Sequence, residues 1–247
     1  MALFEARDIS ASFGRDAARV PVFSQLDFKL EASYIYDLVG QSGTGKSTLL
    51  RVCAQMLDRD SGSLFLDGSS SEEIPFTTWR RKVCLVPQKT ALTSGTVKEN
   101  LLSPWSLKIH AGEEKPTDKE LTYLLQAADL SDITLDRDVS QLSGGQAARI
   151  SLLRVFATKP HVLLLDEVDA ALDDETSRAV SKLTASLVDE SMTCLRIRHR
   201  ASDGFAKGTY TLSQGSINYE NNATPESNMA HRSQKQVSGF ESERVTS

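Results

Sequence analysis

The segment Gly40-Gln41-Ser42-Gly43-Thr44-Gly45-Lys46-Ser47 fits G-x4-G-K-[ST] at every position. Glycines at these places let successive backbone N–H groups turn inward and form a nest for an anion. In such a loop the lysine, here Lys46, reaches the β- and γ-positions of a phosphate chain, and the hydroxyl of Ser47 ligates Mg2+. The stretch Tyr34–Val39 before it reads as a strand. Thr48–Leu57 after it reads as a helix whose N-terminus points at the phosphates. A plain glycine turn would require neither neighbour, whereas strand, glycine loop and helix in this order form an α/β signature.

The rest of the chain is organised around that unit. Residues 1–39 read as β, with Val22, Phe28 and Leu30 marking one strand. Ser63–Leu66 and Val83–Val86 are short apolar strands, with the polar segment Asp67–Glu73 between them. From about residue 89 to 158 the spacing turns helical. Leu121, Leu124 and Leu125 share a face there, and Thr117 with Glu120 forms a capping box. His161–Asp166 carries the apolar run of a buried parallel strand. Glu175–Asp189 is predicted as a helix with Ala179, Val180, Leu183 and Leu187 inward. Met192–Ile197 is predicted as a strand, and Thr209–Leu212 with Ser216–Tyr219 as a closing hairpin. Beyond Glu220, Asn, Ser, Glu and Gln dominate, so 221–247 is expected to be disordered, with Phe240 its only aromatic. The expected fold is α/β: a P-loop NTPase core with a parallel sheet, an N-terminal antiparallel β subdomain and an inserted helical lobe, spanning 1–220.

A second motif, Val162-Leu163-Leu164-Leu165-Asp166-Glu167, buries four apolar residues and delivers two carboxylates at a strand's C-terminal end, where open α/β sheets bind ligands. Asp166 would hold Mg2+ through water, and Glu167 would polarise an attacking water as general base. A third motif, Leu142-Ser143-Gly144-Gly145-Gln146, starts a helix with Ser143 and Gln146 at capping-box spacing. Its two glycines leave the approach bare for a phosphate.

LSGGQ upstream of a VLLLDE strand is the signature of ATP-binding cassette ATPases, and the chain resembles that family from about residue 3 to residue 219. The resemblance implies that residues Gly40 to Thr48 line the phosphates of ATP, with Mg2+ on Ser47, Gln88 and Asp166. It implies that Gln88, after Val86-Pro87, is the glutamine that also faces a transport partner. Ala171-Leu172-Asp173 matches the loop that crosses a dimer interface, although Asp173 would equally cap the next helix. His199 matches the switch histidine that contacts the γ-phosphate, and Phe13 the aromatic that stacks on adenine. The family's LSGGQ closes on the nucleotide of a second chain, so Leu142–Gln146 would act in trans within a nucleotide-dependent homodimer.

Three features depart from the family pattern: Ser33-Tyr34 stands where Gly-Glu is usual, Asp37 lies inside a strand that should be apolar, and Arg198-His199-Arg200 replaces Thr-His-Asp. A buried carboxylate needs a partner, and the sequence does not name one for Asp37. The segment Thr96-Val97-x-x-Asn100-Leu101 with Pro104-Trp105 resembles the small stand-alone cassettes that pair with a separately encoded integral membrane subunit, a group linked to iron export and metal tolerance. That resemblance implies ATP hydrolysis coupled to transport at the cytoplasmic face of a membrane, as a peripheral subunit. A soluble single-cassette ATPase, such as a component of an iron–sulfur assembly scaffold, is the alternative.

Composition limits the remaining classes. With 247 residues and 40% apolar composition the chain can bury a substantial core, and a net charge of −5 gives it no electrostatic reason to bind nucleic acid. Three cysteines, Cys53, Cys84 and Cys194, none in a CxxC pair, read as free thiols. The start MALFEARDIS lacks the features of a signal peptide, and no stretch approaches the roughly 20 apolar residues of a membrane span. Any role in transport is therefore expected to come through a partner.

Overall fold

The computed structural model describes residues 2–14, 19–89, 92–170 and 172–222. Two strands of 12 residues, β1 (Ala2–Phe13) and β2 (Val20–Glu31), pair antiparallel from Ala2 with Glu31 to Phe13 with Val20. β4 (Ser61–Leu66) pairs with the other edge of β1, and the short β5 (Ser69–Ser70) follows it, so the order is β2-β1-β4-β5. Asp67 and Gly68, which join β4 to β5, both lie at positive φ, 49° and 77°. That is the conformation a tight hairpin demands, and it places a strand inside the polar segment Asp67–Glu73.

The second sheet holds β3 (Ile35–Val39), β6 (Val83–Val86), β7 (Val162–Leu165), β8 (Thr193–Ile197), β9 (Ala206–Ser213) and β10 (Ser216–Asn221), in the order β10-β9-β3-β8-β7-β6. Every pairing is parallel except that of β9 with β10. Alternation along the central strands divides the interior in two. Val162, Leu164, Leu195 and Leu38 face the antiparallel sheet and α1 (Lys46–Cys53). Leu163, Leu165, Cys194 and Ile35 face the helices α3 (Val97–Leu102), α4 (Asp118–Ala127), α5 (Gly144–Phe156) and α6 (Asp174–Leu187). Capping boxes close the starts of α3, α4 and α5 at Thr96/Glu99, Thr117/Glu120 and Ser143/Gln146.

Four details differ from expectation. α1 begins at Lys46 and ends at Cys53, not at Thr48 and Leu57. Gln55 turns to φ 52°, while the buried Trp79 indole donates to Cys53 O at 2.8 Å and Arg80 donates to Gln55 O, so side chains consume the carbonyls that a longer helix would use. Trp79 belongs to α2 (Phe76–Lys82), which no periodicity in the sequence announces. α6 buries Val180 and Leu183 but leaves Ala179 and Leu187 half-buried; Ser177, Ser181 and Thr184 turn inward instead. Their hydroxyls have partners there: Asp169 for Ser177, Arg198 for Ser181 and Val180 O for Thr184. Finally, β10 reaches Asn221, one residue past the expected limit, and 223–247 lie outside the described residues.

Candidate active site

β3 ends at Val39, and the glycine loop follows. A Cβ at Gly40, φ 152°, would lie 2.3 Å from Leu212 O, and one at Gly45, φ 99°, would lie 2.4 Å from Val22 Cγ1. The loop is thus pressed between β9 and β2, and only glycine fits at either position. The buried Lys46 ammonium donates to Gly40 O at 2.9 Å and to Gln41 O at 3.0 Å, which holds it over the loop. The Ser47 hydroxyl donates to Asp166 Oδ1 at 2.6 Å, joining the start of α1 to the end of β7. Arg51, one turn further along α1, approaches Asp166 Oδ2 at 3.9 Å. Sequence reasoning passed over Arg51, although its i,i+4 spacing from Ser47 puts both on one helix face.

Glu167 takes φ 51°, a left-handed conformation that costs a residue with a Cβ roughly 1 kcal/mol or more. Its carboxylate is held from two sides. His199 Nε2 lies 2.7 Å from Oε1, and Gln88 Nε2 donates to Oε2 at 3.2 Å. Gln88 follows β6, Glu167 follows β7 and His199 follows β8, so three residues far apart in sequence meet at the C-terminal edge of neighbouring parallel strands.

Other expected site residues stand apart from this group. Phe13, at the end of β1, is 56% exposed and open to stacking. Ser143 and Gln146 bond reciprocally at the start of α5, with Ser143 N donating to Gln146 Oε1 at 2.9 Å and Gln146 N to Ser143 Oγ at 3.2 Å. Nothing lies within 4 Å of a Cβ built on Gly144, whereas one on Gly145 would meet Thr176 Cγ2 of α6 at 2.4 Å. Asp173 caps α6, accepting from Thr176 N at 2.9 Å, and that bond holds its carboxyl below the usual range. Ala171 lies outside the described residues.

The departures from the family pattern have physical partners. Arg196 sits opposite Asp37 in the β3–β8 register and donates to its Oδ1 at 2.6 Å. The same guanidinium donates to Asp203 Oδ1 at 2.7 Å, and Asp203 also pairs with Arg198, whose Nη1 reaches Ser181 Oγ at 3.1 Å. Burial pushes the Asp37 carboxyl up, and Arg196 offsets only part of that. Burial opposes the charge on Asp203 as well, but the guanidiniums of Arg196 and Arg198 hold it below the usual carboxylate range. Ser33 occupies φ 70°, where glycine rests without strain, and the Tyr34 ring packs under Lys207 Nζ at 3.9 Å.

A phosphate loop tied through Ser47 to a strand-borne Asp166-Glu167 pair defines a P-loop NTPase. The family model for ABC transporters matches residues 23–170, and the chain belongs to that family, as an ATP-binding cassette with ATPase activity. The chain is 32% identical over 174 residues to the probable iron export ATP-binding protein FetA of Escherichia coli (strain K12), covering 70% of this chain and 76% of that protein. It is 30% identical over 208 residues to the ATP-dependent lipid A-core flippase of Desulfotalea psychrophila, of which it spans 34%. Its fold matches a dimeric ATP-binding cassette in a post-hydrolysis state bound to ADP and Pi, with a TM-score of 0.77 at 21% identity over 90% of this chain and 99% of that one. It also matches a bacterial Atm1-family ABC exporter with ATP bound, with a TM-score of 0.74 at 23% identity over 96% of this chain and 40% of that one. No described helix is long and apolar enough to cross a membrane.

Proposed function

We propose that this chain is the ATP-hydrolysing subunit of a membrane exporter and works as a head-to-tail homodimer with ATP between the Gly40–Thr48 loop of one copy and Leu142–Gln146 of the other. The observation that carries the reading is the grip on Glu167, fixed between Gln88 and His199 beside the Ser47–Asp166 pair. A carboxylate so placed can accept a proton from water attacking the γ-phosphate, while His199 orients it. Lys46 neutralises the phosphates, and Phe13 stacks on adenine.

The donor set suits Mg2+. Among the described residues no three His, Cys, Asp or Glu side chains converge as a metal cage, and Mg2+ typically takes one or two carboxylates plus substrate phosphates. Ser47, Asp166 and Gln88 would hold it, and when bound it neutralises charge on the phosphates.

The relatives named for iron export and lipid flipping support an export role. The membrane-spanning part would then come from a separately encoded integral subunit, with residues 1–220 as the cassette at its cytoplasmic face. Purification of the tagged chain from solubilised membranes should bring down a multi-span protein that stimulates its ATPase. Recovery of only soluble assembly-scaffold proteins would overturn the transporter reading.

A further inference from the structure

His199 is flanked in sequence by two arginines whose side chains point in opposite directions. Arg198 turns inward. Its backbone N–H donates to Leu38 O at 3.3 Å, and its buried guanidinium pairs with Asp203 while donating to Ser181 Oγ at 3.1 Å and to Ala201 O at 2.9 Å. This end of the segment is anchored to β3 and α6. Arg200 turns outward, and its fork spans a second loop: Nη1 pairs with the Asp174 carboxylate and Nη2 donates to Leu172 O. Leu172, in the loop that would cross the dimer interface, and Asp174, the first residue of α6, flank the cap Asp173. A lysine could meet the carboxylate or the carbonyl but not both, because only a guanidinium offers donors in a fixed fork.

We propose that Arg200 is a positioning residue that fastens the His199 segment to the Leu172–Asp174 loop, so that His199 meets Glu167 only while that loop is in place. The inference rests on the catalytic reading of His199 and Glu167 given above. It adds a mechanical link by which a displacement of the interface loop reaches the histidine. A purely stabilising role does not account for the geometry. Asp174 is 80% exposed, and an ion pair so open to water adds little to stability. Arg200 directly follows His199 in the chain, and a misplacement of about 1 Å in a reacting group costs on the order of 100-fold in rate.

The test compares variants of the whole chain. Arg200→Ala should lower kcat by about 10- to 100-fold while leaving ATP affinity within about twofold. Its Tm should move by no more than about 2 °C. Arg200→Lys should recover part of the rate. A readout independent of turnover uses chain labelled with 13C-histidine. The His199 resonance, identified by its loss in His199→Ala, should shift and broaden in Arg200→Ala, while those of His110 and His161 stay in place. An unchanged His199 resonance, or wild-type kcat in Arg200→Ala beside an inactive His199→Ala, would overturn the link. A fall in kcat that tracks a drop of many degrees in Tm and is fully restored by Arg200→Lys would reduce Arg200 to a structural role and also overturn it. Wild-type turnover in His199→Ala would instead remove the catalytic reading itself, and that result is obtained without any Arg200 variant.

Discussion

Lys46 and Asp203 are both charges withdrawn from water, and each depends on a different kind of partner. Among the described residues Lys46 bonds to carbonyls of its own loop, an arrangement that suits the anion proposed to bind there. Lys46→Ala should weaken ATP binding by about 10- to 100-fold, the worth of one charge-assisted contact; calorimetry with Mg·ATP measures it, and unchanged affinity would contradict the loop assignment. Asp203 is instead permanently paired. Its folded pKa lies below its unfolded value, so its stabilisation is present at neutral pH and disappears as pH falls through the folded value. Asp203→Asn should therefore cost about 3 kcal/mol at pH 7, typical of breaking one side of a buried pair, and progressively less below pH of about 4. Asp37 has the opposite sign: its raised pKa contributes stability below the unfolded value, and that contribution is lost as pH rises. Urea melts of Asp203→Asn and Asp37→Asn at pH 7, 5 and 3 should diverge in direction, and parallel trends would refute the opposite shifts of the two carboxyls. The Gly40–Ser47 motif could be read because its residues are contiguous in the chain. The partner of Asp37 could not, because Arg196 lies 159 positions away and only the β3–β8 register brings them together.

Among the elements, the starts of α4 and α5 were readable, since a capping box is a local code of four residues, and both boxes named from sequence are formed. Helix ends and faces were less so. α1 stops where Trp79 and Arg80 take its carbonyls, and α6 turns hydroxyls inward because Asp169 and Arg198 wait for them. In both cases tertiary partners override periodicity. The contact of α5 with α6 allows a test of how tightly two elements are set. Gly145→Ala gains helix propensity of about 1 kcal/mol, but the new methyl would meet Thr176 Cγ2 at 2.4 Å. Thr176 cannot easily rotate away, because its hydroxyl donates to Asp173 Oδ2 at 2.9 Å. Overpacking of about 1–3 kcal/mol should win, lowering the Tm by several degrees. Adding Thr176→Ser removes the clashing methyl and keeps the hydroxyl, so it should restore most of the loss. A Gly145→Ala chain as stable as wild type would show that the two helices have room to part.

At the scale of the whole molecule, two cores on either side of one sheet leave the proposed catalytic group and Leu142–Gln146 on separate elements. Gln88, Glu167 and His199 meet at the strand ends, while the bonds described for Ser143 and Gln146 stay within the first turn of α5. The fold class was legible because strand, loop and helix recur in a fixed order. The second copy was not, because no residue pattern records which face meets another chain, and only the family resemblance supplied it. Glu167→Gln tests that part. The amide keeps the size of the carboxylate, and Gln88 can turn its own amide to present an acceptor, but the basicity is gone. Hydrolysis should slow by about 100-fold or more, ATP binding should persist, and an ATP-bound dimer should accumulate on size-exclusion chromatography. Adding Gly144→Asp gives a clean control. Its side chain enters open space in the single chain, so the Tm without nucleotide should hold. In the dimer its carboxylate would face the γ-phosphate of the other copy, and the like charges should abolish the trapped species. Should the double variant still dimerise with Mg·ATP, Leu142–Gln146 cannot be closing on the partner's nucleotide. Should Glu167→Gln alone remain monomeric both in isolation and with any membrane protein that co-purifies with it in detergent, the head-to-tail sandwich is wrong for this chain.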